Sequence, residues 1–175
     1  MAVWPDARAG VPATTTMRTR TIAIFNHKGG VGKTTTAVNL AACLAHAHRR
    51  HVLVIDLDPQ ANATRALLAS ELPEGQPTVK DWLLGAAKSA PTLTTAVEGL
   101  ALLPADLTLS EAAFGIGRNH DGNLLLRTAL SKLTERFDFI LIDCPPSLGP
   151  LALNALAAAD AVIVPCETQY LALRG

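Results

Sequence analysis

Residues 28–36 read Lys28-Gly29-Gly30-Val31-Gly32-Lys33-Thr34-Thr35-Thr36. They stand between a β-branched and aromatic run, Thr21 to Asn26, and a stretch with apolar residues at helical spacing, Ala37, Leu40, Ala41 and Leu44. Strand, glycine-rich turn and helix in that order leave few folds open, because the turn brings a helix N-terminus back over the end of its own strand. Glycine lets backbone N–H groups turn inward with no Cβ in the way, and a helix starting near Lys33 adds the positive end of its dipole, so the loop suits phosphate oxygens. The context test for a phosphate-binding P-loop is met. Lys33 is placed to reach β- and γ-phosphates, Thr34 to set its hydroxyl on Mg²⁺, and Gly29, Gly30, Val31, Gly32 and Thr35 to line the cradle. The standard pattern has glycine five residues before Gly32; this chain has His27 there, followed by a second lysine, Lys28.

Beyond the loop, Val52 to Ile55 and Phe139 to Ile142 are continuous apolar runs of strand length, and Leu100 to Leu103 and Ala161 to Val164 add two more. Leu126, Ala129, Leu130 and Leu133 mark one amphipathic helix; Leu148, Leu151, Ala152, Ala155, Leu156 and Ala159 mark another. Apolar strands alternating with helices predict an α/β fold, a mostly parallel sheet with helices on both faces. The segment Ser70 to Thr95, punctuated by Pro73, Gly75, Pro77, Gly85 and Pro91, reads as a surface excursion with a short helix over Val79 to Leu84, anchored to the sheet by Trp82.

A chain of 175 residues and 18.4 kDa fits one domain. With 49% hydrophobic and 17% charged residues, it is neither disordered nor fibrous in bulk. Fifteen basic side chains against fifteen acidic ones exclude a chain-wide basic footprint for nucleic acid, though not a local patch. Cys43, Cys144 and Cys166 form no CxxC pair, which argues against a disulfide framework or zinc site and for a reducing cytoplasm; all three read as small buried residues. No membrane span is expected, since Asp160 interrupts the richest apolar stretch, and residues 1–19 lack the pattern of a secretory signal. Those nineteen residues, with Pro5, Gly10, Pro12 and a threonine run, are expected to be a mobile leader before a domain over 20–175. Met17 is an alternative start, and a basic arm of Arg8, Arg18 and Arg20 is the rival reading of the leader.

Three carboxylates follow apolar strands. Asp143 ends the Phe139 run, the place from which a carboxylate can hold Mg²⁺ through water. Asp56 ends the Val52 run. Asp58, followed by Pro59, carries the signature of a helix N-cap with proline at the first helical position. No nucleophile–base pair or metal-ligand cluster stands at motif spacing, so phosphoryl transfer to water is the chemistry the residues support.

From Asn26 to Thr36 the sequence resembles the deviant Walker A box of the ParA/Soj partition ATPases, within the wider group that includes MinD and the nitrogenase iron protein. Val54-Ile55-Asp56-Leu57-Asp58-Pro59-Gln60-Ala61-Asn62-Ala63-Thr64 is similar to that family's second box, which usually has glycine at the place of Ala61. Ile142-Asp143-Cys144-Pro145-Pro146-Ser147-Leu148, continuing to Leu153-Asn154-Ala155-Leu156, is similar to its Walker B and switch region. The resemblance runs from Arg20 to Gly175. It implies a P-loop NTPase that lacks the family's C-terminal strands, with ATP and Mg²⁺ as cofactors. By the same resemblance, Lys28 reaches across an ATP-dependent homodimer to the partner's nucleotide, Lys33 binds phosphate, and Asp58 positions the attacking water. Thr34 and Asp143, the latter through water, serve the metal, with Asp56 a second carboxylate near it. It further implies hydrolysis stimulated by a ParB-like protein, DNA bound without sequence preference, nucleoid association in the ATP state, and a role in plasmid or chromosome segregation. Gln169 and Arg174 depart from acidic residues common in the family. The Ala161 strand should lie beside the P-loop strand with its far edge unpaired, an edge prone to aggregation. Two other readings stay open: a MinD-like positioning regulator, which needs an amphipathic C-terminal helix, and a non-catalytic nucleotide-binding fragment.

Overall fold

The computed structural model describes residues 18–68, 70–118, 122–133 and 136–167; the leader as far as Met17, and Gln169 and Arg174, lie outside the described residues. In chain order the elements are β1 (Arg20–Ile24), α1 (Lys33–His46), β2 (Val52–Asp56), α2 (Asn62–Leu68), α3 (Val79–Leu83), β3 (Leu93–Thr94), β4 (Leu100–Leu103), α4 (Leu109–Arg118), a 3₁₀ turn (Gly122–Leu124), α5 (Leu125–Leu130), β5 (Phe139–Asp143), α6 (Pro150–Ala158) and β6 (Ala161–Ile163). The six strands lie in the order β3-β4-β2-β5-β1-β6, and all pairings are parallel except the two-residue edge strand β3.

Side chains on a strand alternate between faces, and here both faces are covered, which is why the strands read as unbroken apolar runs. Val52, Val54, Leu100, Leu102 and Leu141 pack with Ala37, Ala41 and Ala45 of α1 and with Ala63 and Leu67 of α2. Their neighbours Leu53, Ile55, Ala101, Leu103, Ile140 and Ile142 point the other way, into a second cluster with α3, α4, α5 and α6. Trp82, 9% exposed, belongs to that second cluster and ties the excursion to the sheet as expected.

The Ala161 strand does lie beside the P-loop strand, with Ile22 opposite Ala161 and Ile24 opposite Ile163. Asp160 clamps the start of the pair: it accepts from the Thr21 amide at 2.9 Å and gives its own amide to the Thr21 carbonyl at 2.8 Å. No strand among the described residues pairs with the outer edge of β6, and Val162 and Val164 are exposed there. No helix among the described residues is long and apolar enough to cross a membrane.

Three features depart from the sequence reading. The helix α4 carries Gly115 and Gly117, poor helix formers that hide its pattern. Gly117 is needed for packing, since a Cβ there would sit 2.8 Å from Pro150 Cγ of α6. The cysteines are not alike: Cys144 is buried, with burial pushing its thiol up to about 12, whereas Cys43 and Cys166 are exposed. The third is Asn154, fully buried in α6. Its Oδ1 accepts from the Leu126 amide at 3.0 Å, and its Nδ2 donates to the Gly122 and Pro150 carbonyls at 2.7 and 2.9 Å, stitching α5 and the 3₁₀ turn to α6. Replacing it with alanine strands buried backbone groups, so Asn154→Ala should lower the unfolding free energy by about 2–3 kcal/mol in urea titrations. A loss below about 0.5 kcal/mol, the size of an ordinary surface substitution, contradicts this account of α6 docking.

Candidate nucleotide site

The C-terminal ends of β1, β2 and β5 adjoin one another, and the candidate residues sit there. Gly30 and Gly32 take positive φ values of 77° and 90°, the left-handed conformations that make the loop turn back into α1. Gly32 is the N-cap of α1, and no side chain among the described residues caps its first turn; the first helical bond runs from the Thr36 amide to the Gly32 carbonyl at 2.8 Å. The preceding amides are orphan donors at the positive end of the helix dipole, an anion-receiving arrangement. Asn26, which the sequence reading passed over except as a letter in the motif, braces the loop from outside. Its Oδ1 accepts the Lys28 amide at 2.9 Å, and its Nδ2 donates to the Pro165 carbonyl at 2.8 Å. An Asn at a strand end just before a glycine-rich loop is the signal that could have revealed it.

Lys33 is buried, and its Nζ donates to the Lys28 carbonyl at 3.0 Å, so the ammonium spans the loop it serves. Lys28 faces outward. Its Nζ pairs with Glu167 Oε2 at 3.0 Å, both side chains roughly half exposed, so the two lysines of the box point to different places. Val31 is half-buried and Thr35 exposed, while Gly29 and Gly30 form the open rim.

Asp56 and Asp143 are register partners on adjacent parallel strands, and both are fully buried on the face covered by α1. Thr34 Oγ1 donates to Asp143 Oδ2 at 2.6 Å; Asp143 Oδ1 is buried with no hydrogen bond among the described residues. Burial raises the Asp143 carboxyl to about 7; the Thr34 bond works against that, and the nearby Asp56 and Asp58 charges add to it. A carboxylate with a free buried oxygen, a threonine hydroxyl beside it and a single nearby ammonium form a hard-oxygen donor set short of positive charge. The residues present fit Mg²⁺, which takes one or two carboxylates and completes its shell with waters and phosphates.

Asp56 is differently engaged. Its Oδ2 accepts from the Thr64 amide and the Thr64 hydroxyl, each at 2.8 Å, and its Oδ1 accepts from the Asp58 amide at 3.1 Å. Burial still lifts its carboxyl to about 6 against those bonds. Asp58, 8% exposed, does not cap a helix as its Pro59 suggested. Its Oδ1 accepts the Gln60 amide at 2.9 Å and its carbonyl the Ala61 amide at 2.8 Å, closing a turn, and α2 begins only at Asn62. Pro59 presets the turn, and the carboxylate that meets an amide in the first turn of α2, that of Thr64, is Asp56. Ala61, at φ 52°, occupies a left-handed position that costs an alanine roughly 1 kcal/mol and that glycine would fill freely.

Comparison with known proteins agrees with the fold. A family described as an AAA domain matches residues 19–175. The sporulation initiation inhibitor protein Soj of Bacillus subtilis (strain 168) is 44% identical over 155 residues, covering 88% of this chain and 60% of that protein. The chromosome-partitioning ATPase Soj of Treponema pallidum (strain Nichols) is 46% identical over 158 residues, with 89% and 60% covered. A crystal structure of cobyrinic acid a,c-diamide synthase from Mycobacterium smegmatis with bound ATP analog and magnesium superposes with TM-score 0.78 at 44% identity, over 86% of this chain and 62% of that one. The chain thus spans about 60% of the length of the curated relatives it matches.

The raised carboxyls carry a consequence for stability. Asp56 and Asp143 hold protons in the folded, metal-free chain at pH values where the unfolded chain has released them, so each destabilises the fold as pH rises from about 4 toward its folded value and costs nothing further above it. Without Mg²⁺, wild type should therefore lose stability relative to Asp143→Asn between about pH 4 and 7 in urea titrations, and a difference that does not vary with pH contradicts this. With the P-loop architecture, the run of motifs and the match over residues 19–175 in agreement, the chain belongs to the AAA-domain family, and its relatives there are the ParA/Soj partition proteins.

Proposed function

We propose that this chain is a ParA-like switch that binds ATP with Mg²⁺, pairs with a second copy in that state, and is released by hydrolysis during plasmid or chromosome segregation in the cytoplasm. The observation that carries it is the uncapped start of α1 behind Gly30 and Gly32, facing Asp143 through Thr34. In this reading the amides of residues 29–35 cradle the phosphates. Lys33, whose ammonium rests on the Lys28 carbonyl, would bind phosphate, and Thr34 and Asp143, joined by their hydrogen bond, would hold the metal, Asp143 through water. Mg²⁺, when bound, would neutralise the charge that develops on the phosphates. Asp58 orients the attacking water, and Asp56 holds Asp58 in place. Lys28 leaves Glu167 to meet the partner's nucleotide, which needs little energy because an exposed ion pair contributes at most about 1 kcal/mol. A ParB-like protein accelerates hydrolysis, and DNA held without sequence preference places the ATP state on the nucleoid; both rest on the resemblance alone.

Binding and turnover of MgATP by wild type, Lys33→Ala and Lys28→Ala test this. A point charge about 4 Å from a phosphate oxygen at an effective dielectric near 20 is worth roughly 4 kcal/mol, so Lys33→Ala should cost 100-fold or more, on that order, in affinity or turnover. Lys28→Ala should keep nucleotide binding and lose ATP-dependent dimerisation by light scattering. Wild-type turnover in Lys33→Ala contradicts the proposal; nucleotide binding with no turnover in wild type selects the non-catalytic reading.

A further inference from the structure

We propose that Thr64 is a positioning residue for Asp58, acting through the Asp56 carboxylate. This rests on the reading of Asp58 as the group that orients the attacking water.

Thr64 lies in the first turn of α2, 3% exposed. Its hydroxyl is committed on both sides: it accepts the Ala105 amide, just past β4, at 3.0 Å and donates to Asp56 Oδ2 at 2.8 Å. A hydroxyl has one proton, and the Ala105 N–H points its own proton at the oxygen, so the hydroxyl proton goes to Asp56. The Thr64 amide binds the same Oδ2 at 2.8 Å. Two donors on one oxygen fix the plane of the carboxylate, and that plane sets where Oδ1 stands. Oδ1 in turn receives the Asp58 amide at 3.1 Å, two residues along, where the chain leaves β2 for its turn. Asp58 is then held from behind by Asp56 and from ahead by its bond from the Gln60 amide at 2.9 Å. The path joins the ends of β2 and β4 and the start of α2, and its members Asp56, Thr64 and Ala105 are buried, where a lost hydrogen bond is costly.

A threonine that only completed the start of α2 would leave Asp58 indifferent to its hydroxyl. A threonine that aims Asp58 would transmit its loss to a place it does not touch. Thr64→Val keeps the shape and removes the hydroxyl; Thr64→Ser keeps the hydroxyl. The measurements are MgATP turnover, affinity for a fluorescent ATP analogue with Mg²⁺, and the backbone amide resonance of Asp58 in the full chain. Thr64→Val should shift the Asp58 amide resonance upfield and cut turnover roughly 10- to 100-fold, the scale of a misplaced catalytic group, while nucleotide affinity stays within about 3-fold. Thr64→Ser should restore both readouts. Asp56→Asn, which keeps the buried side chain but alters its acceptors, should reproduce the turnover loss and carries the test if Thr64→Val does not fold. An unmoved Asp58 resonance, a serine variant as impaired as valine, affinity lost in step with turnover, or wild-type turnover in Asp56→Asn each overturns the proposal. Asp58→Asn separates the two levels: full turnover there, or none in wild type, overturns the underlying reading of Asp58, whereas a slow Asp58→Asn beside a fast Thr64→Val overturns the role of Thr64 alone.

Discussion

Asp56, Asp58 and Asp143 gather at the ends of two neighbouring strands, inside a sheet covered on both sides, with Lys33 as the cation the structure sets among them. Carboxylates in such a place are costly unless protonated, hydrogen-bonded or met by a cation. The chain meets that cost differently for each. Asp56 is saturated by Thr64 and the Asp58 amide, Asp58 is tied into its own turn, and Asp143, among the described residues, has Thr34 alone and keeps one oxygen free. The free oxygen marks where the structure is unfinished without a cation, and it lies next to the uncapped helix start where an anion is favoured. Cation and anion sites that adjoin in this way suit a metal–phosphate ligand better than either ion alone.

The fold serves that arrangement. Parallel strands buried on both faces must be connected by helices, and connections that cross above them bring several strand ends to one rim. Because β5 lies between β1 and β2, the register that pairs Ile24 with Asp143 and Asp56 with Asp143 sets the loop and both carboxylates at one level. Glycine at 30 and 32 then allows the backbone to turn where side chains would be strained.

Much of this was legible in the sequence because it depends on local pattern. The five longer strands, the P-loop, α1 and α6 all follow from apolar runs, helical spacing and motif order, while the adjacency of the Ala161 strand to β1 follows from the family resemblance. What was not legible depends on contacts between distant residues. The glycines of α4 look like breakers until Pro150 of α6 is seen against Gly117. Pro59 reads as a helix start because proline at a first helical position and proline in a turn look alike locally; only the Asp56–Thr64 bonds show that α2 begins three residues later. Asn26, Thr64 and Asn154 are small polar residues whose importance lies in partners 139, 8 and 32 positions away, and no period or spacing encodes those partners. Cys43 is exposed because it lies on α1 away from the buried line of Ala37, Ala41 and Ala45, and Cys166, past the end of β6, is exposed too, against the usual tendency of free cysteine to be buried.

The most direct measurement is a crystal structure of the chain grown with a non-hydrolysable ATP analogue and Mg²⁺. In that structure Lys33 Nζ should have left the Lys28 carbonyl for a phosphate oxygen, and Thr34 and Asp143 should hold the metal, Asp143 through water. A loop that excludes the nucleotide, with Lys33 still on Lys28 and the Asp143 oxygen still unpartnered at saturating ligand, would contradict it.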